Sequence, residues 1–139
     1  MSQVLVDSNV LLDVLTEDAV WFEWSAQALE QCAARAQLCV NTLIYAEVSI
    51  GFERIEELDQ ALPPVEFTRL ALPWEAAFLA GKAFLRYRRS GGARSSPLPD
   101  FMIGAHAAVA GIPLLTRDAR RFRTYFPKLE LICPEPVPD

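Results

Sequence analysis

Histidine and cysteine are scarce in this chain, and their scarcity narrows the chemistry open to it. There is one histidine, His106, and the three cysteines, Cys32, Cys39 and Cys133, show no CxxC spacing. That argues against a zinc cluster or a disulfide framework and reads as reduced, mostly buried thiols. No apolar run is long enough to span a bilayer, and no basic and apolar leader opens the sequence. A cytoplasmic protein without a membrane partner is the expectation. Basic residues are scarce in one half only. Residues 1–81 carry three basic against thirteen acidic side chains, a net of −10, whereas residues 82–139 carry ten against five, a net of +5. The overall charge of −5 therefore conceals a basic half.

A chain of 139 residues with 52% apolar content is one domain that buries a full core. Residues 3–6 read as a buried strand, followed by a short helix capped by Ser8 or Asn9 and reaching residue 15. Residues 19–36 are helical in pattern, with Trp21, Trp24, Ala28 and Cys32 near one face. Residues 38–40 form a second strand. Asn41 or Thr42 then offers an N-cap for a helix to residue 52. A further helix over residues 55–62 stops at Pro63-Pro64.

A third strand is expected over residues 67–72. Pro73 opens the next helix, whose apolar stripe is marked by Trp74, Phe78, Gly81 and Leu85. Residues 90–99 are a loop rich in glycine, serine and proline, a candidate mobile segment carrying Arg94. Residues 100–110 form a helix of small residues closed by Gly111. Residues 112–115 are a strand, 118–125 a short helix, and 129–133 a last strand. The fold class is α/β: a domain over residues 1–133, with a mostly parallel sheet of about five strands flanked by helices. Residues 134–139 are a proline-rich tail.

Four carboxylates stand out in this arrangement. Asp7 and Asp118 follow strands, at the end of a parallel sheet where ligands bind. Asp100 opens a helix, and Glu47 lies in mid-helix among apolar neighbours. Bare like charges brought together are costly, and a hard divalent cation between them removes the cost. Such an ion neutralises charge on phosphate oxygens and lowers the pKa of water, so no histidine base is required. His106, six residues after Asp100 and nearly opposite it on the helix, is expected at the surface or facing a partner. Asn9 and Thr116 add polar groups beside Asp7 and Asp118. Two arginine clusters, Arg86, Arg88, Arg89 and Arg94, then Arg117, Arg120, Arg121 and Arg123, lie near Asp100 and Asp118. They are either a solvated face or a surface for phosphates.

Val6-Asp7-Ser8-Asn9-Val10-Leu11-Leu12-Asp13 resembles the opening motif of PIN-domain nucleases. Residues 42–52 with Glu47, residues 99–107 with Asp100, and Leu115-Thr116-Arg117-Asp118 with Phe122 are similar to the three motifs that follow. Spacing, size and the closing strand resemble the VapC-type toxins of bacterial toxin–antitoxin pairs. The resemblance implies a PIN-like domain and a magnesium- or manganese-dependent endoribonuclease. Asp7, Glu47, Asp100 and Asp118 would be its acidic, metal-binding quartet, supported by Asn9 and Thr116. Arg86, Arg88, Arg89, Arg94, Arg117, Arg120 and Arg121 would hold RNA. It also implies a homodimer and a cognate antitoxin. Ser8 and Gly104 stand where threonine and alanine are common.

Other readings are an RNA-processing nuclease outside such a pair, or a non-catalytic RNA-binding module of the same fold. A dehalogenase-type phosphotransferase needs a second aspartate where Asn9 stands. A phospho-receiver needs an acidic pair after the first strand and a phosphoacceptor aspartate, and both are lacking.

Overall fold

In a computed structural model, residues 2–92 and 98–135 are described. Arg94, half of the expected 90–99 loop (residues 93–97) and most of the proline-rich tail lie outside the described residues, and residues 98 and 99 of that loop belong to a helix. The elements run β1 (Ser2–Val6), α1 (Ser8–Leu15), α2 (Phe22–Ala33), β2 (Ala36–Val40), α3 (Thr42–Ser49) and α4 (Ile55–Ala61). They continue with β3 (Phe67–Arg69), α5 (Trp74–Arg89), α6 (Leu98–Ala110), β4 (Leu114–Leu115), α7 (Arg120–Tyr125) and β5 (Leu131–Ile132). The expected α/β class, with a five-stranded sheet flanked by helices, is what the chain forms.

Every strand pair is parallel, in the order β3-β2-β1-β4-β5. β1 is central, and Val4, Leu5 and Val6 are buried in it, as an apolar run covered on both faces requires. The chain winds outward through β2 and β3 on one side and through β4 and β5 on the other. The winding reverses between β1 and β4, where Val6 pairs with Leu115. At such a switch point the helices after neighbouring strands diverge and leave a crevice at the carboxyl edge.

Element ends depart from the expected ones. Ser8 lies inside α1, and Asp7 is the N-cap, extended at φ −64° and ψ 147°, with no side-chain capping bond. α7 begins at Arg120, so Asp118 sits in the preceding turn, and β3, β4 and β5 are shorter than expected. Asn41 does cap α3, accepting from the Ile44 N–H at 2.9 Å. Gly111, at φ 68°, closes α6 in a backbone conformation that side-chain-bearing residues avoid.

Two expectations about faces are overturned. The stripe of Trp74, Phe78 and Leu85 on α5 is exposed, Trp74 at 89% and Phe78 at 70%. Ala76, Ala80 and Ala83 are buried instead, because α5 lies closely along α6 and only small side chains fit between them. His106 is not at the surface. It is 2% exposed, with Nδ1 2.9 Å from Asn41 Nδ2.

α6 also approaches α7 closely. A Cβ at Gly104 would stand 2.8 Å from ring atoms of Phe122 and Phe126, so the larger residue does not fit without displacement. Phe101 anchors the same region in a ring cluster with Phe84, Tyr87, Tyr125 and Phe126.

Candidate active site

The sheet register brings the first and last sequence motifs together. The Asp7 N–H donates to Leu115 O at 2.9 Å, which sets Asp7 beside Thr116. Thr116 is fully buried, and its hydroxyl accepts from Asn9 Nδ2 at 3.2 Å and from the Asp118 N–H at 3.1 Å. A hydroxyl has two acceptor sites and one donor. With both acceptor sites used, its proton goes to Asp7 Oδ2 at 2.9 Å. Asn9 Oδ1 in turn accepts from the Arg117 N–H at 3.4 Å. Asn9 and Thr116 thus form a web orienting Asp7 and the turn that bears Asp118. Because Asp7 makes no capping bond, its carboxylate stays available to the cleft.

Glu47 reaches this group from α3. Ser8 Oγ donates to Glu47 Oε1 at 2.7 Å, a link that sequence reasoning missed in giving Ser8 a capping role. Asn41 caps α3 while its amide nitrogen donates to His106 on α6. That bond leaves the imidazole a neutral Nε2–H tautomer, and burial holds its pKa below the ordinary value. His106 is therefore a strut between the helices carrying Glu47 and Asp100. Its signal was the run of small and apolar residues around it, which marks the buried centre of α6.

Asp100 sits in the first turn of α6, half-buried, and its Oδ2 accepts from Arg121 Nη1 at 2.9 Å. Asp118 is exposed on the facing turn. Asp7, Asn9, Asp100 and Asp118 line one cleft of about 270 Å³, together with Arg117 and Arg121. Glu47 does not line it and joins through Ser8.

Electrostatics show how close these acids are. Burial pushes the Asp7 carboxyl up to about 7, the Thr116 hydroxyl offsets part of this, and the charges of Asp100 and Glu47 add to it. Burial also raises Glu47, with Ser8 opposing and Asp100 reinforcing. Asp100 is raised by burial and by Asp118, against the lowering effect of Arg121. A buried carboxyl held among like charges is the arrangement a cation relieves.

The donors are carboxylate oxygens, which suit a hard divalent ion. Among the described residues no three acidic, histidine or cysteine side chains stand close enough to enclose one metal. Magnesium needs only one or two carboxylates beside its waters, and Asp7 with Asp100 meets that requirement. Arg121 also supplies positive charge to Asp100.

The remaining arginines spread over a wider face. Arg86 lies over the Tyr125 ring and Arg88 over Phe84, both in the last turns of α5 with Arg89. Arg120 is exposed, and Arg123 Nη2 lies 3.4 Å from Cys133 Sγ. Arg117 is tied by Nε to Asp13 Oδ2 at 2.7 Å. Asp13 is a second residue that sequence reasoning left without a role. Its signal was a carboxylate inside an otherwise apolar helix turn, between Leu12 and Val14.

Comparison with known proteins agrees with this fold. The structure is similar to VapBC2 from Rickettsia felis bound to a DNA fragment from their promoter, at a TM-score of 0.72 and 16% identity over 96% of this chain and 99% of that one. It resembles VapBC-1 from nontypeable Haemophilus influenzae, at 0.71 and 16% over 94% and 97%. It also resembles a toxin–antitoxin complex from Klebsiella pneumoniae, at 0.65 and 22% over 86% and 89%. No curated protein sequence matches this chain. Among the described residues no helix is long and apolar enough to cross a membrane. The sequence model of one family, the PIN domain, matches residues 4–127, nearly the whole chain, and the chain belongs to the PIN domain family.

Proposed function

We propose that this protein is a divalent-metal-dependent endoribonuclease and the toxin of a toxin–antitoxin pair. The observation that carries the reading is Asp7, a buried carboxyl pushed up to about 7 at the switch point, with Asp100 and Glu47 close enough to raise it further. Asp7 and Asp100 would hold the cation, magnesium or manganese, with Asp118 and Glu47 completing the acidic cluster through water and Asn9 and Thr116 orienting it. When bound, the cation supplies charge neutralisation at the phosphate and makes water more acidic.

The chain's own groups do the rest. Thr116 keeps Asp7 Oδ2 hydrogen-bonded and so favours its ionised form, and Ser8 holds Glu47 toward Asp7. Arg117 and Arg121 flank the cleft and suit phosphate oxygens, which guanidinium groups grip in pairs. Water attacks the phosphorus, the bond to the 3′ oxygen breaks, and that oxygen takes a proton. A 5′-phosphate and a 3′-hydroxyl are left. Arg121 leaves Asp100 to grip the substrate.

Partners follow from the same reading. Exposed Trp74 and Phe78 on α5, with Ile50 and Ile55 at the ends of α3 and α4, are apolar surface that a second copy and a cognate antitoxin would cover. The VapBC structures similar to this chain support the antitoxin.

One observation favours a second reading, a non-catalytic RNA-binding module: Arg121 already neutralises Asp100. Expression in a bacterial host separates the two. The wild type is expected to arrest growth and fragment cellular RNA, while Asp7→Asn does neither and co-expression of an adjacent antitoxin gene restores growth. Arrest by Asp7→Asn as strong as by the wild type would refute the nuclease reading.

A further inference from the structure

His106 and Asn41 are both almost fully buried, and neither takes part in the chemistry proposed for the acids. Asn41 Oδ1 accepts from the Ile44 N–H, so the amide nitrogen is the group that donates to His106 Nδ1 at 2.9 Å. Both ends of this bond lead to an acid. Leu5 pairs with Cys39 in the parallel register, so two residues further on Asn41 leaves β2 level with Asp7 leaving β1. Glu47 follows Asn41 by six residues on α3, and Asp100 precedes His106 by six on α6. Six residues are about 9 Å of helix rise. The bond thus joins the helix of Asp100 to the sheet edge of Asp7 and to the helix of Glu47.

On its other sides α6 is packed chiefly by apolar groups. Ala76, Ala80 and Ala83 of α5 lie along it, and Phe122 and Phe126 stand against Gly104. Apolar contact is non-directional and fixes no particular distance. A hydrogen bond does, because donor and acceptor must keep both separation and angle. Stability alone does not call for this pair, since apolar side chains of the same shape would be about as favourable there. What the pair adds is a fixed position of α6 against β2 and α3. Cations differ in how much they need such rigidity. Magnesium demands near-ideal octahedral geometry with oxygens at about 2.1 Å, whereas calcium takes oxygens at about 2.4 Å in a flexible shell.

We propose that the Asn41–His106 bond is a positioning strut that holds the acids at the spacing magnesium requires and so sets their preference for magnesium over calcium. The proposal rests on the reading of these acids as a cation site. It is tested by calorimetric titration of metal-free protein with magnesium chloride and with calcium chloride. The nitrogen NMR shifts of the His106 imidazole, recorded in EDTA, test the bond without any cation.

His106→Leu, which fills the space without an acceptor, is expected to weaken magnesium binding by about tenfold and calcium binding by less than about twofold. Asn41→Ser keeps a capping oxygen for α3 but loses the amide, and it should show the same selective loss even where the leucine variant does not fold. His106→Asn, whose amide oxygen falls where Nδ1 stands, should keep magnesium affinity within about twofold of the parent. In EDTA the parent should show a bare Nδ1 and a protonated Nε2. Equal weakening of both ions, as general loosening of the fold would give, would overturn the proposal. An Nδ1–H tautomer in the parent would do the same. If the parent binds magnesium and the folded variants match it, the cation-site reading stands and the strut assignment fails. If the parent binds neither ion while the tautomer is as expected, the cation-site reading fails and the strut assignment falls with it.

Discussion

Arg117 Nε donates to Asp13 Oδ2 across 2.7 Å and so ties α1 to the turn that carries Asp118. Ser25 Oγ donates to the same carboxylate oxygen at 2.7 Å, which joins α2 to the pair. Asp13 is almost fully buried, while Arg117 keeps about a third of its side chain exposed. Breaking a buried pair usually costs more than a surface one contributes, but the exposed arginine can turn to water. Asp13→Ala is expected to lower unfolding free energy by about 2 kcal/mol in urea denaturation. Unchanged stability would mean the pair contributes nothing.

Gly104→Ala tests the contact of α6 with α7. Alanine gains about 1 kcal/mol of helix propensity. Its Cβ, however, meets Phe122 and Phe126 at 2.8 Å, and both rings sit in a filled core. Overpacking of this kind costs about 1–3 kcal/mol, so a net loss of about 1 kcal/mol is expected in thermal or urea unfolding. A more stable variant would contradict the close approach.

The sheet and its helices are legible in the sequence because β-branched runs, proline stops and Asn41 are local signals with local causes. Asp7 and Asp118 fall at strand ends, as expected, for the same reason. Which face of a helix turns inward is harder to read. On α5 the large residues Trp74 and Phe78 suggest one face, yet Ala76, Ala80 and Ala83 decide it, because close approach to α6 depends on small volume. His106 escapes a sequence reading because its angular distance from Asp100 says nothing about Asn41, a partner 65 residues away. The Ser8–Glu47 and Asp13–Arg117 contacts are equally long-range, and no spacing rule encodes them.

Thr116 offers a graded test of the web around Asp7. Thr116→Val removes the proton donated to Asp7 and the acceptor used by Asn9 and the Asp118 N–H. Loss of such supporting contacts typically costs 10–100-fold, so RNA cleavage should fall by roughly that factor. Thr116→Ser, which keeps the hydroxyl, should retain most activity. Equal cleavage rates for the valine and serine variants would remove Thr116 from the site.

Asp7 gives a pH signature in metal-free protein. Its carboxyl titrates at about 7 in the fold against an ordinary value of 3.8, so the folded state binds the proton more tightly. That destabilises the fold fully above about pH 7, progressively less between pH 7 and 4, and not at all below. Burial shifts Glu47 and Asp100 in the same direction. Asp7→Asn removes the buried charge and is expected to be more stable than the wild type by about 2 kcal/mol near pH 8 in EDTA, with the gap closing near pH 4. Magnesium should stabilise the wild type and leave the variant unchanged. A variant less stable than the wild type near pH 8 would contradict the burial of a charged Asp7.

Incubation of purified protein with a defined single-stranded RNA, with the ends of the fragments mapped, bears on the proposed reaction more sharply than any other experiment. Fragments with 5′-phosphate and 3′-hydroxyl ends are expected in magnesium or manganese. No cleavage is expected in EDTA, nor by Asp7→Asn under any of these conditions. Cleavage that persists in EDTA, or at full rate in Asp7→Asn, would refute a metal-dependent nuclease built on Asp7.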